Sequence, residues 1–178
     1  MCTLSYKTQI YLVLLLLLLY YVVIPLIRYC GKRIATSLDP MRFNLQHVMI
    51  VGGSDGLGKA LVKEVFLKGA LVTIVGRDEN KMMEIRKELD TNEQGQPLIR
   101  YFNEDIMNME SFEVEKLLRK AEKYFGTIEM FIFCAARSEP VMFLSSDLNK
   151  FKNHMDLNFF CAVKFLIPIS KRMALRKT

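Results

Sequence analysis

At 178 residues, with 51% hydrophobic residues and a net charge of +6, the chain has room for one domain of ordinary size. The charge sits at the ends: residues 1–42 carry +4 and residues 171–178 another +4, which leaves −2 on 43–170. That balance excludes nucleic acid as a partner of the globular part, whereas basic ends suit anionic lipid headgroups or plain solvated charge. Cys2, Cys30, Cys134 and Cys161 show neither a CxxC pair nor metal-ligand spacing, so reduced thiols and no metal are expected.

Residues 10–27 form a run of 18 without a charge, including six consecutive leucines. That length is at the low end of what spans about 30 Å of hydrocarbon. A cleaved signal peptide is the alternative, although its apolar part is usually shorter. Arg28, Lys32 and Arg33 follow the run, which favours a transmembrane helix with the later residues in the cytosol. The expected organisation is a membrane anchor over 1–28, a basic linker over 29–46 and a globular domain over 47–178.

From residue 47 short apolar runs alternate with helical patterns. Strands are predicted over 47–51, 71–75, 98–102 and 128–134. Helices are predicted over 56–68, 80–89 and 109–125, and a long one from 148 towards 177 that Pro168 interrupts. The first helix places Leu57, Leu61, Val62, Val65 and Phe66 inward, and the third Phe112, Val114, Leu117, Leu118 and Ala121. This alternation implies βαβ units and a doubly wound parallel sheet. His47, opening the first strand, and His154, on the last helix, are expected at the surface.

The stretch that carries chemistry is Gly52-Gly53-Ser54-Asp55-Gly56-Leu57-Gly58, between the first strand and the first helix. Glycines let the backbone turn tightly and approach a ligand. The first N–H groups of the following helix lack partners within it and favour an anion. A dinucleotide pyrophosphate suits that position. Arg77, after the second strand, lies where an acid would bind a ribose 2′-hydroxyl and a base accommodates a 2′-phosphate. Arg77, with Ser54 and Lys81 beside it, therefore points to NADPH.

On these residues the chain resembles the short-chain dehydrogenase/reductase family. That family's TGxxxGxG turn reads here Val51-Gly52-x-x-x-Gly56-x-Gly58. Its adenine-side Asp corresponds to Asp105, followed by Ile106. Its NNAG stretch is replaced by Phe133-Cys134-Ala135-Ala136, and its catalytic-tetrad Asn by Asn158. Within the family the resemblance is closest to the 3-ketodihydrosphingosine (3-dehydrosphinganine) reductases, through the apolar N-terminus, the Gly52–Lys59 turn and the Arg77, Lys81 pair. The resemblance implies the first half of a Rossmann sheet, about four strands in order 3-2-1-4. It implies cofactor contacts from Gly52, Ser54, Asp55, Gly56, Leu57, Gly58, Arg77, Lys81, Asp105, Ile106 and Ala135, with Asn158 catalytic. It further implies NADPH-dependent reduction of a lipid ketone at the cytosolic face of the endoplasmic reticulum.

The family's proton donor is a Tyr followed four residues later by Lys. No tyrosine of this sequence has that neighbour, so the 178 residues are expected to be inactive alone. Asp55 sets a carboxylate beside the pyrophosphate position, which is unfavourable unless it turns to solvent. A non-catalytic, membrane-anchored NADP-binding or interaction protein, and a fragment of a steroid or retinol reductase, stay open as alternatives. With four strands, Met130-Phe131-Ile132-Phe133 would be an apolar edge that invites pairing with a second chain.

Overall fold

The computed structural model describes residues 43–90, 95–140 and 147–176, together with 11, 17–25, 142 and 144. The chain divides into two compact units, Met1–Met41 and Arg42–Thr178.

In the first unit residues 17–25 are helical around a π-helical turn, Leu19–Val23. Among the described residues no helix is long and apolar enough to cross a membrane. This corrects the expected transmembrane helix. Cys2, Cys30 and most of the expected linker lie outside the described residues.

The second unit is a parallel sheet of four strands: β1 (His47–Val51), β2 (Leu71–Gly76), β3 (Ile99–Asn103) and β4 (Ile128–Phe133). Their order is β3-β2-β1-β4, as the family resemblance implies. β1 pairs with β2 in register from His47↔Leu71 to Val51↔Val75, and with β4 from Val48↔Met130 to Val51↔Phe133. Because side chains alternate along a strand, β1 feeds two cores. Val48 and Ile50 join Val72 and Ile74 beneath α1 (Gly56–Leu67) and α2 (Glu79–Leu89), against Val62, Val65, Met82 and Ile85. Met49 and Val51 join Val75 on the other face, beneath α3 (Ser111–Phe125) and a C-terminal helix that supplies Cys161, Phe165 and Ile169.

That C-terminal helix departs from expectation. It runs as α4 (Leu148–Met155), a π-helical turn (Asp156–Phe160) and α5 (Cys161–Leu175), and Pro168 sits inside α5 without ending it. The irregularity falls instead at the π turn, where the Cys161 N–H reaches back to the carbonyl of Asp156. α5 is fastened to α3 by charge. Arg172 donates to both carboxylate oxygens of Glu115, at 2.6 and 3.0 Å, and its Nε lies 3.2 Å from Glu122.

Three placements correct the sequence pattern. Phe112 is exposed, because it lies two residues, or about 200°, around the helix from Val114. Leu57 is also exposed, at the mouth of a cleft. His47 is 1% exposed, since a strand central in a parallel sheet is covered on both faces. Its Nδ1 lies 2.8 Å from the Gly126 carbonyl and its Nε2 2.8 Å from Thr73 Oγ1. Burial holds its pKa below the ordinary imidazole value. His154 is half-buried.

Candidate functional site

The cleft opens at the C-terminal ends of β1 and β4, where the chain's connections depart in opposite directions from the central strand. Ligands of open α/β sheets bind in that position. It encloses about 560 Å³, within the range of small-molecule sites.

The turn after β1 forms its floor. Gly52 adopts φ +81°, and a Cβ there would strike the backbone of Ala135. A Cβ on Gly58 would overlap the Gly52 carbonyl. These two glycines let the turn, the start of α1 and the loop after β4 pack against one another. A Cβ at Gly56 would meet nothing within 4 Å, so the cleft is open in front of that residue. The Cys134 N–H donates to the Val51 carbonyl at 2.7 Å, which fixes the loop after β4 to the turn. Burial raises the Cys134 thiol pKa.

α1 begins at the cleft. Its first intrahelical bond runs from the Lys59 N–H to the Asp55 carbonyl, 3.1 Å. The N–H groups of Leu57 and Gly58 therefore precede the helical ladder, and both residues line the cleft. The Gly56 N–H is taken by the Asp55 carboxylate: Oδ1 accepts it at 2.7 Å. The other oxygen, Oδ2, lies 2.5 Å from Lys81 Nζ. The Lys81 ammonium, helped by the Gly56 N–H, holds the Asp55 carboxyl below the usual carboxylate range, and Asp55 raises Lys81 in turn. The Asp55 carboxylate is thus neither free nor simply turned to solvent.

Every residue expected to touch a cofactor lines this one cleft: Gly52, Ser54, Asp55, Gly56, Leu57, Gly58, Arg77, Lys81, Asp105, Ile106 and Ala135. Arg77 is exposed after β2 and makes no ion pair among the described residues. Asp105 stabilises its own loop, accepting from the Met107 N–H at 3.2 Å and from Asn108 Nδ2 at 3.0 Å. The cleft also takes in Asp78, Glu104, Met107 and Leu157, which no sequence pattern marked. Asp78 was readable as the residue before α2: it caps that helix through the Lys81 N–H, 3.1 Å.

Asn158 stands apart from the cleft lining. It sits in the π-helical turn, accepts the Arg137 N–H at 2.9 Å and donates to the Arg137 carbonyl at 2.8 Å. It positions the loop after β4. Among the described residues no group of three or more His, Cys, Asp or Glu is placed to hold a metal ion.

The residues fit a dinucleotide. Glycines clear the backbone for it, free N–H groups open a helix, and an unpaired Arg stands at the end of β2. The model of the short chain dehydrogenase family matches residues 46–178. Over 144 residues the chain is 29% identical to a 3-dehydrosphinganine reductase of Danio rerio, covering 80% of this chain and 40% of that protein. It is 27% identical to a 3-ketodihydrosphingosine reductase of Bos taurus, with the same coverage of 80% and 40%. The chain therefore spans about two fifths of the length of these relatives. Among solved structures, a short chain dehydrogenase from Bacillus anthracis superposes with a TM-score of 0.67 at 24% identity, over 75% of this chain and 52% of the other. A short-chain type dehydrogenase/reductase from Mycobacterium ulcerans gives 0.65 at 25%, over 74% and 47%. With about three quarters of its residues under that family model, the chain belongs to the short-chain dehydrogenases, oxidoreductases that work with a nicotinamide cofactor.

Proposed function

We propose that the chain is the nucleotide-binding part of a reductase that uses NADPH to convert 3-ketodihydrosphingosine to dihydrosphingosine. The observation that carries the cofactor is Arg77, unpaired at the end of β2 and facing the cleft whose floor is the glycine turn. A guanidinium there matches a 2′-phosphate and has no use for a free 2′-hydroxyl. The N–H groups of Leu57 and Gly58 would hold the pyrophosphate, and Asp105 with Ile106 would border the adenine. The bound cofactor supplies a hydride to the keto carbon. Asn158 keeps the loop after β4 in place. The substrate class rests on the names of the relatives, and a location at the endoplasmic reticulum rests on the family resemblance alone.

Reduction also needs a proton for the new hydroxyl. The resemblance gives that task to a Tyr-x-x-x-Lys pair, and the 178 residues hold none. Residues 1–178 are therefore proposed to bind NADPH without turning over ketone. A second reading is a non-catalytic partner that pairs with another chain. β4 favours it: its residues 130–133 are only half-buried, and among the described residues no strand lies beyond it.

Titration of the full chain with NADPH and NADH, followed by the fluorescence of the reduced nicotinamide, tests the cofactor. Saturable binding that prefers NADPH and loses that preference in Arg77→Glu is the expected result. Binding of neither dinucleotide by folded protein would overturn it.

A further inference from the structure

Asp55 sits where a dinucleotide would have to be neutralised, yet it is itself an anion. Both of its carboxylate oxygens are engaged by groups that an anionic ligand would use. Oδ1 takes the Gly56 N–H, the first of α1, at 2.7 Å, and Oδ2 takes the Lys81 ammonium at 2.5 Å. Three other acids line the cleft: Asp105 is engaged within its own loop, Asp78 with the backbone N–H of Lys81, and Glu104 holds neither cation of the cleft among the described contacts. Arg77, the second cation of the cleft, makes no ion pair among the described residues.

We infer that Asp55 is an internal counter-anion of the cofactor site, which holds Lys81 away from the ligand until phosphate takes its place. This inference rests on the dinucleotide reading above and deepens it by naming a residue that sets cofactor preference. The geometry makes the exchange easy. The Asp55 side chain is 71% exposed and that of Lys81 49%, and an ion pair in that setting is weak because water screens it. Lys81 lies on the first turn of α2, and its long flexible stem lets the ammonium swing without moving the backbone. A phosphate monoester carries close to two charges at neutral pH, so it outcompetes a single carboxylate for the ammonium. NADH has no such group at its adenosine ribose, and Lys81 then stays with Asp55. The carboxylate thus lowers the affinity for the dinucleotide that must displace it from Lys81, and it leaves NADH, which offers nothing in exchange, nearly unaffected.

The test is a fluorescence titration of the full chain with NADPH and with NADH. The variants are Asp55→Asn, Lys81→Met and the double variant, each checked for folding by circular dichroism. Asparagine keeps an oxygen for the Gly56 N–H and removes only the charge that holds Lys81. In Asp55→Asn, NADPH is expected to bind about tenfold more tightly, with a gain below about threefold for NADH. In the Lys81→Met background the NADPH gain from Asp55→Asn is expected to vanish, the signature of coupling between the residues. Unchanged or weakened NADPH binding in Asp55→Asn, with wild type binding normally, overturns this inference and leaves the cofactor reading standing. A gain that persists without Lys81 also overturns it. Failure of every folded variant to bind either dinucleotide overturns the cofactor reading itself.

Discussion

The imidazole of His47 and the hydroxyl of Thr73, on neighbouring strands of the sheet, meet at 2.8 Å with both residues buried. The opposite ring nitrogen lies 2.8 Å from the Gly126 carbonyl, which can only accept. Nδ1 therefore carries the proton, Nε2 accepts from Thr73, and the neutral ring satisfies both neighbours. The Phe125 ring stands edge-on at 5.4 Å. Glu122, Glu129 and Arg176 face the imidazole from the packed elements, but burial is the largest influence and lowers its pKa from 6.5. The unfolded chain then binds the extra proton first as pH falls. Stability is expected to be full above about pH 7, to fall as pH drops through 6.5, and to level off once the folded-state pKa is passed. Urea denaturation between about pH 7.5 and 5, where carboxylates stay ionised, should show this slope in wild type and lose most of it in His47→Gln. Thr73→Val, which strands Nε2, should cost about 1–3 kcal/mol at neutral pH.

Arg172 makes the corresponding test of the other core. Its guanidinium is 19% exposed and grips Glu115 with two nitrogens while Nε faces Glu122. The Arg172 guanidinium holds the Glu115 carboxyl below the usual range. This contribution is present above the ordinary carboxylate pKa and is lost as pH falls through the lowered one. Arg172→Met should cost about 1–3 kcal/mol in urea denaturation. Arg172→Lys should recover less than half of that, because an ammonium cannot reproduce the two-pronged geometry. Full recovery by Lys would show that charge alone matters there.

The parallel strands and the glycine turn were legible because they depend on local pattern, whereas the strand order followed from the family resemblance. Alternating apolar runs give parallel strands, and a turn rich in glycine between strand and helix gives a phosphate site. What escaped was set by distant partners. His47 reads as a polar strand opening, and its burial follows from Thr73 and Gly126, 26 and 79 positions away. Lys81 reads as a free cation beside Arg77. Only the fold shows that Asp55, also 26 positions away, already holds it. Pro168 reads as a helix breaker, yet the irregular turn falls at 156–160, where Asn158 reaches the backbone of Arg137. The apolar run at 10–27 reads as long enough to span a bilayer, yet among the described residues no helix is long and apolar enough to do so.

Gly58 tests the floor of the cleft. Its absent Cβ leaves room for the Gly52 carbonyl, which belongs to backbone and cannot move aside as a flexible side chain would. Gly58→Ala should shift the turn away from α1, weaken dinucleotide binding at least about tenfold and lower stability by about 1–3 kcal/mol. Gly56→Ala is the contrast. Space there is open, but φ is +51°, so the cost is backbone strain of about 1 kcal/mol. Equal losses of affinity in the two variants would argue against close packing of the turn as the basis of the site.

The fourth strand offers the last prediction. β4 pairs with β1 on one side, and among the described residues no strand lies on its other side. Its side chains from Met130 to Phe133 are half-buried, with Phe131 and Phe133 resting on Phe165 of α5. A strand of this kind presents an unpaired row of N–H and C=O groups together with apolar surface, and sheets with such edges add strands from other chains. The full chain is expected to elute above monomer mass in a concentration-dependent way. Ile132→Lys, which puts a charge on the edge without touching the glycine turn, should shift the equilibrium towards monomer. The exposed helix side chains Phe151 and Phe159 provide the control. If Phe159→Lys dissociates the assembly and Ile132→Lys does not, contact runs through the helix face and the edge-pairing proposal fails.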